Sequence, residues 1–277
     1  MDRNLLRHQI EAFLAEDIGR GDLTSEAIFT QSDLGRARLV ARHACVMAGV
    51  ELVAAEVFKV QNPAITISET VADGSRVQPG DVLMVVSGPV IDLLKAERVA
   101  LNLLQRLSGI ATLTAKYVDQ VAGHAVRITD TRKTTPGLRM LEKYAVQVGG
   151  GANHRFNLTD GILIKDNHIA ACGSLGEAVR RVRAVAPHTI RIEVETDTLA
   201  QVDECLACGV DIIMLDNMTP ATMVEAVRRI AGRALVEASG GVNLTTVAAI
   251  AACGVDIISI GALTHSAPAC DIGMDWL

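Results

Sequence analysis

From about residue 125 the chain alternates short apolar runs with helical segments, and this rhythm restricts its fold more than any other feature. The candidate strands are VRITD (126–130), GILIK (161–165), IRIEVE (190–195), DIIML (211–215), ALVEAS (234–239) and DIISIG (256–261). Helical patterns such as LGEAVRRVRAVA and TLAQVDECLACG sit between most of them. Continuously apolar strands separated by helices belong to a parallel sheet covered on both faces. Six such units in succession most simply close into a parallel α/β barrel of about six strands. An open doubly wound sheet is the alternative, but no Gly-x-Gly-x-x-Gly follows any strand. The run Cys208-Gly-Val-Asp-Ile-Ile recurs at Cys253, 45 residues on, which marks a repeated helix–turn–strand junction two βα units apart. Aromatics are only 3% of the chain, so its core is built from Ala, Val, Ile and Leu.

The first part of the chain, to about residue 105, has no regular period. An amphipathic helix is predicted over 4–16, followed by the turn Gly19-Arg20-Gly21-Asp22. The later stretch VADGSRVQPGDVLMVVSGPV looks like the hairpin of a biotinyl or lipoyl carrier. Such a carrier needs a lysine at the hairpin tip, and none lies between Lys59 and Lys95. Residues 92–108 predict a strong helix, with Leu93, Ala96, Ala100, Leu103 and Leu107 on one face and Arg98, Asn102 and Gln105 on another. This gives a first domain over 1–105 and a barrel over 106–265.

Several function classes fall on composition. A formal charge of −6 argues against a protein that lives on phosphate neutralisation in nucleic acid. The N-terminus lacks an apolar signal region, and the longest uncharged stretch, Ala238–Val255, carries Ser, Gly, Asn and Thr. No membrane association is expected, and the mean hydropathy of +0.30 reports a buried core. Six scattered cysteines form no disulfide framework, and the lone Cys205-x-x-Cys208 pair lacks partners for zinc. A reducing cytoplasm suits such a chain.

In a parallel barrel, reactive groups gather at the carboxyl ends of the strands. Here those ends carry Asp130-Thr131-Arg132-Lys133, Lys165-Asp166-Asn167-His168, Glu193 with Glu195, Asp216-Asn217, Glu237 with Ser239-Gly240-Gly241, and Gly261 with His265. Between Arg127 and Lys165 there are seven Lys or Arg against three acids, a local excess of positive charge that suits an anionic ligand. Arg132, Arg155 and Lys165 are suited to carboxylates. Arg139 and Lys143 instead fit an outward basic helix face. Glu195 and Asp216, at neighbouring strand ends, could hold Mg²⁺ beside a substrate phosphate or stabilise positive charge developing on a sugar. The backbone N–H groups of Ser239-Gly240-Gly241, before a helix, make a phosphate cradle.

The block DTRKTTPGLRMLEKYAVQVGGGANHRFNLTDGILIKDNH closely resembles the central block of the quinolinate phosphoribosyltransferases. EDIGRGDLTSE, ERVALNLLQRLSGIAT, VEASGG and IGALTHS resemble further blocks of that family, in the expected order. One departure is Asn157, where Gly is expected. The resemblance implies an α/β sandwich domain beside an irregular TIM-like barrel, with residues 266–277 returning to the first domain. It implies the transfer of phosphoribosyl from phosphoribosyl pyrophosphate to quinolinate with loss of CO₂, in NAD biosynthesis. The family's quinolinate positions correspond here to Arg98, Thr131, Arg132, His154, Arg155 and Lys165. Lys133, Glu195 and Asp216 correspond to its catalytic, ribose, pyrophosphate and Mg²⁺ positions. Ser239, Gly240, Gly241, Ile260, Gly261, Ala262 and His265 match its phosphate loops. The implied assembly is a homodimer with Arg98 donated across the interface, with a hexamer of dimers as the larger form open to it. Three rivals are set against this reading: a related protein of the molybdenum-uptake group, a Schiff-base aldolase using Lys165, and a non-catalytic dicarboxylate binder.

Overall fold

The computed structural model describes all of residues 1–277 and divides them into two compact units. The first comprises Met1–Ala115, Met140–Gly150 and Ser266–Leu277; the second comprises Lys116–Arg139 and Gly151–His265. The sequence boundary at residue 105 lies inside a helix that runs on to Gln120.

The first unit opens with α1 (Arg3–Ile18), capped by the Asp2 carboxylate and ended at Gly19, whose positive φ a side chain would resist. Its Leu6, Ile10 and Leu14, spaced four apart, are the buried stripe. After α2 (Leu23–Ile28) come the strands β1 (Leu34–Ala41), β2 (Cys45–Val46), β3 (Thr66–Ser68), β4 (Arg76–Val77) and β5 (Val82–Pro89), with a π-helical turn at Val50–Ala54 and helix α3 (Ala55–Gln61) after β2. The long helix α4 (Val90–Gln120) follows. It buries Leu93, Ala96, Ala100, Leu104 and Leu107, each buried leucine worth about 2 kcal/mol, and leaves Arg98 exposed. Helix α5 spans Arg139–Val148.

The second unit holds the strand–helix repeat: β6 (Arg127–Thr129), β7 (Ile162–Ile164), α6 (Asp166–Cys172), α7 (Leu175–Val185), β8 (Ile192–Thr196), α8 (Leu199–Cys208), β9 (Ile212–Asp216), α9 (Pro220–Ile230), β10 (Leu235–Ser239), α10 (Val247–Ala251), β11 (Ile257–Ser259) and α11 (Ala262–His265). All six expected strands are present. They form a parallel sheet in the order β6-β11-β10-β9-β8-β7. Its edge strands β6 and β7 do not pair with each other. Instead a strap at 152–155 runs beside β6, with Ala152 N–H donating to Ile128 O at 2.8 Å. From that strap the Arg155 guanidinium donates to Gly161 O at 2.9 Å, just ahead of β7. The barrel is irregular because one seam is closed by a loop rather than by a ladder.

The repeated Cys-Gly-Val-Asp-Ile-Ile motif has a physical basis. Gly209 and Gly254 both take positive φ after their helices. Asp211 then bonds the N–H of Ile192 at 2.7 Å, and Asp256 bonds the N–H of Val236 at 2.8 Å. Each aspartate thus ties the start of its own strand to the start of the neighbouring one and sets the parallel register.

The chain's last residues, Ser266–Leu277, belong to the first unit. There β12 (Ile272–Trp276) pairs antiparallel with β1, giving a sheet ordered β12-β1-β5-β3. Gln105 of α4 holds this segment, accepting from Cys270 N–H at 3.0 Å and donating to Ile272 O at 2.8 Å. One turn further along α4, Gly109 lets the returning backbone approach; a Cβ there would lie 2.0 Å from Pro268 O. Replacing a helical glycine by alanine ordinarily gains up to about 1 kcal/mol. Here the clash is with backbone, so Gly109→Ala should instead lower stability by about 1–3 kcal/mol in urea titration.

Candidate active site

Side chains alternate across a strand, so residues two apart share a face. On β8 this places Glu193 and Glu195 on the same inward side, with Glu195 at the carboxyl mouth and Glu193 one layer deeper. Glu237 lies midway along β10 in the same way. The strand-end expectation therefore needs correcting for Glu193, which is 4% exposed and lies inside the barrel, whereas Glu237, 2% exposed, still borders the mouth cavity from below. The sequence pattern could have revealed this, since each stands two residues before the inward-facing group that closes its strand.

At the mouth, a cavity of about 560 Å³ gathers most of the expected site. Thr131, Arg132 and Lys133 line it from the loop after β6, and His154 and Arg155 from the strap. Lys165, Glu195, Asp216 and Ser239-Gly240-Gly241 line it from the ends of β7, β8, β9 and β10. Ile260, Gly261, Ala262 and His265 do not line it. They follow β11, where Gly261 packs against the Lys133 side chain and the His265 ring, and Thr264 Oγ1 donates to Lys133 O at 2.8 Å. Arg98 belongs to the other unit.

The charges are arranged in pairs. Lys165 Nζ donates to Glu195 Oε2 at 2.8 Å. Asp216 accepts from the Asn217 amide at 2.7 Å. Asn217 itself has φ +53°, and its side chain occupies the place a Cβ on Gly240 would need, 2.2 Å away. Gly240, at φ +86°, is thus required twice over, by conformation and by space. Burial lowers the Arg155 pKa, and the neighbouring Arg132 adds to the effect. Two cations held together in this way attract an anion more strongly than either alone.

Two further corrections concern the basic window. Lys143 is 2% exposed, so α5 does not present it outward. Arg139 is half-buried and works on the site loops: it donates to Thr134 Oγ1 at 2.9 Å, to Arg132 O at 3.3 Å and to Phe156 O at 3.2 Å. It ties the loop after β6 to the strap, a task its sequence neighbours do not reveal. His168 serves its own helix, its Nδ1 accepting from Lys165 N–H at the start of α6.

The comparisons with known proteins follow this geometry. The family model "Quinolinate phosphoribosyl transferase, C-terminal domain" matches residues 110–275, and the corresponding N-terminal domain matches 22–108. The chain belongs to the quinolinate phosphoribosyltransferase family. Among its relatives, a probable carboxylating nicotinate-nucleotide pyrophosphorylase of Bacillus subtilis is 46% identical over 275 residues, covering 99% of this chain and 94% of that protein. The carboxylating nicotinate-nucleotide pyrophosphorylase of Mycobacterium leprae is also 46% identical, covering 97% and 96%. The crystal structure of NadC from Streptococcus pyogenes superposes with a TM-score of 0.95 at 43% identity, covering 100% of this chain and 99% of that one. This quinolinate phosphoribosyltransferase family member has no helix long and apolar enough to cross a membrane.

Inside the barrel, burial and the adjacent Glu193 push the Glu237 carboxyl up to about 7. An acid whose folded pKa lies above its ordinary 4.5 favours the fold below that value, and this contribution is lost as pH rises through the folded pKa. Glu237→Gln does not titrate. Its Tm should therefore rise relative to the wild type between pH 4.5 and about 7, with a constant difference below. Thermal melts across that range check the window, and a difference that falls with pH would contradict it.

Proposed function

We propose that the cavity at the carboxyl mouth of the barrel is where quinolinate and phosphoribosyl pyrophosphate react. The family's reaction gives nicotinate mononucleotide, pyrophosphate and CO₂, which makes this chain a pentosyltransferase of NAD biosynthesis. The observation that carries the assignment is a single cavity with cations on one side and two acids beside a Ser-Gly-Gly turn on the other.

Arg132, His154, Arg155 and Lys165 bind the two carboxylates of quinolinate, with Thr131 at the edge of that cluster. Ser239, Gly240 and Gly241 hold the 5′-phosphate, with Ile260–Ala262 and His265 supporting from the next loop. Lys133 neutralises the pyrophosphate. As the pyrophosphate leaves C1 of the ribose, positive charge grows on the sugar, and Glu195 and Asp216 stabilise it. The ring nitrogen of quinolinate then forms the new bond to C1. The resulting pyridinium accepts the electron pair left when the adjacent carboxylate departs as CO₂, and a proton takes the vacated carbon. Positioning and electrostatics suffice; no side chain forms a covalent bond.

Glu195 and Asp216 are hard oxygen donors on one wall of the cavity, a set that fits Mg²⁺ completed by pyrophosphate oxygens. Bound there, Mg²⁺ would neutralise charge on the leaving group. The imine-forming reading of Lys165 is not favoured, because its Nζ is engaged with Glu195 at 2.8 Å and the curated relatives are pyrophosphorylases. The curated relatives likewise speak against the molybdenum-uptake group. A cytoplasmic location fits six cysteines that are all free.

Lys133→Ala and Lys165→Ala should keep the wild-type Tm and abolish Mg²⁺-dependent release of labelled CO₂ from quinolinate, measured with and without phosphoribosyl pyrophosphate. Normal turnover in either variant would remove that lysine from the site.

Arg98 is exposed on α4 while Ala96 and Ala100 beside it are buried, which supports its donation to a second copy across a two-fold axis. Homodimers of Arg98→Ala and of Lys133→Ala should each be nearly inactive. In a mixed dimer one site regains both residues, so activity should recover to at most about half of wild type. No recovery after verified subunit exchange would show that Arg98 serves its own chain.

A further inference from the structure

His154 sits on the strap beside β6 with both its backbone and its ring tied down. Its N–H donates to Asp130 Oδ1 at 2.9 Å. Its Nε2 lies 3.3 Å from Glu193 Oε2 and 3.6 Å from Glu237 Oε1, so the two buried acids face it from inside the barrel. On the other side of the ring, Nδ1 accepts from Arg155 N–H at 2.8 Å. A ring nitrogen that accepts carries no proton, so the proton sits on Nε2 and points at the acids. This argues against a metal ion among the three groups. Nε2 cannot ligate while protonated, and moving its proton to Nδ1 would set two N–H groups against each other.

The two acids are not an economical way to fill a barrel. Glu193 Oε1 and Glu237 Oε1 find no hydrogen-bond donor among protein groups, although both residues are almost completely buried. The strands around them are otherwise rich in Ile and Val, and apolar residues of similar size would remove the cost of burying two like charges. Their one shared partner is the ring of a residue that also lines the mouth cavity. Arg155, next along the strap, takes its position from the same anchor.

We infer that Glu193 and Glu237 are positioning residues for quinolinate: acting through the His154 ring, they fix the strap that carries His154 and Arg155 into the cavity. The inference rests on the reading that this cavity takes quinolinate. It adds two acids that act on the strap: Glu193 from beneath the mouth cavity, and Glu237 from its floor.

The near-isosteric variants Glu193→Gln, Glu237→Gln and their double test it in the full-length enzyme, beside His154→Ala. With both acids neutralised, KM for quinolinate should rise about tenfold or more, while KM for phosphoribosyl pyrophosphate stays within about twofold. The ¹⁵N signals of His154 should show a protonated Nε2 in the wild type and a mixture of tautomers in the double variant. Either single variant should show part of both changes, so the test stands even if the double variant folds poorly. If His154→Ala raises the quinolinate KM but the glutamine variants leave both KM and the ¹⁵N signals unchanged, this inference falls alone. A parallel rise in both KM values together with a lower Tm would reduce the acids to a structural role and also overturn it. If His154→Ala itself leaves the quinolinate KM unchanged, the placement of quinolinate against His154 fails, and the inference fails with it.

Discussion

All six strands of the sheet run in one direction, and the rest of the structure depends on that parallelism. A parallel ladder brings every carboxyl end to the same mouth, so loops far apart in sequence converge there. The ladder itself is set by side chains as well as backbone. Asp211 and Asp256 each bond an N–H at the start of the preceding strand in the sheet, Ile192 and Val236, and so fix where neighbouring strands begin. Once those starts are set, Asp216 falls level with Ser239 and Glu195 level with Met214, two residues below Asp216. A one-residue slip would turn them away from the cavity.

The same alternation brings polar groups into the interior below the mouth. Glu193 shares a face with Glu195, and Glu237 shares a face with Ser239, so the positions that build the mouth also fix which side chains lie beneath it. Burial raises the Glu237 pKa, and for His154 it opposes the charge that Glu193 and Glu237 together favour, with a raised pKa as the result. Interior charge of this kind is costly, and its persistence in an otherwise apolar barrel ties it to the residues it orients. Stability and function pull in opposite directions at these two acids.

The seam between β6 and β7 is the other place where regular structure gives way to function. A closed ladder there would leave no room for a loop. Instead the strap pairs with β6 on one side, and Arg155 reaches the segment before β7 on the other. Arg139 then ties the strap to the loop after β6. Arg155 is thus held by a backbone carbonyl rather than by an acid, which leaves its charge available to an anion, whereas Lys165 is paired with Glu195.

Much of this was legible in the residues alone. Apolar runs at βα spacing determined the parallel barrel, because only strands covered on both faces carry so few polar positions. The Cys-Gly-Val-Asp repeat marked a junction built from a left-handed glycine and an aspartate two residues later. The long central block determined the family, and the basic window pointed to an anionic ligand. Other features depended on distance in space. Lys143 and Arg139 read as an outward face because a helical pattern does not show what packs against it. Glu193 read as a strand end because two residues along the same face separate the mouth from the interior, and where a strand stops is fixed by its neighbours. That His154 lies over both acids follows from three segments far apart in the chain, and only the closed sheet brings them within hydrogen-bonding reach.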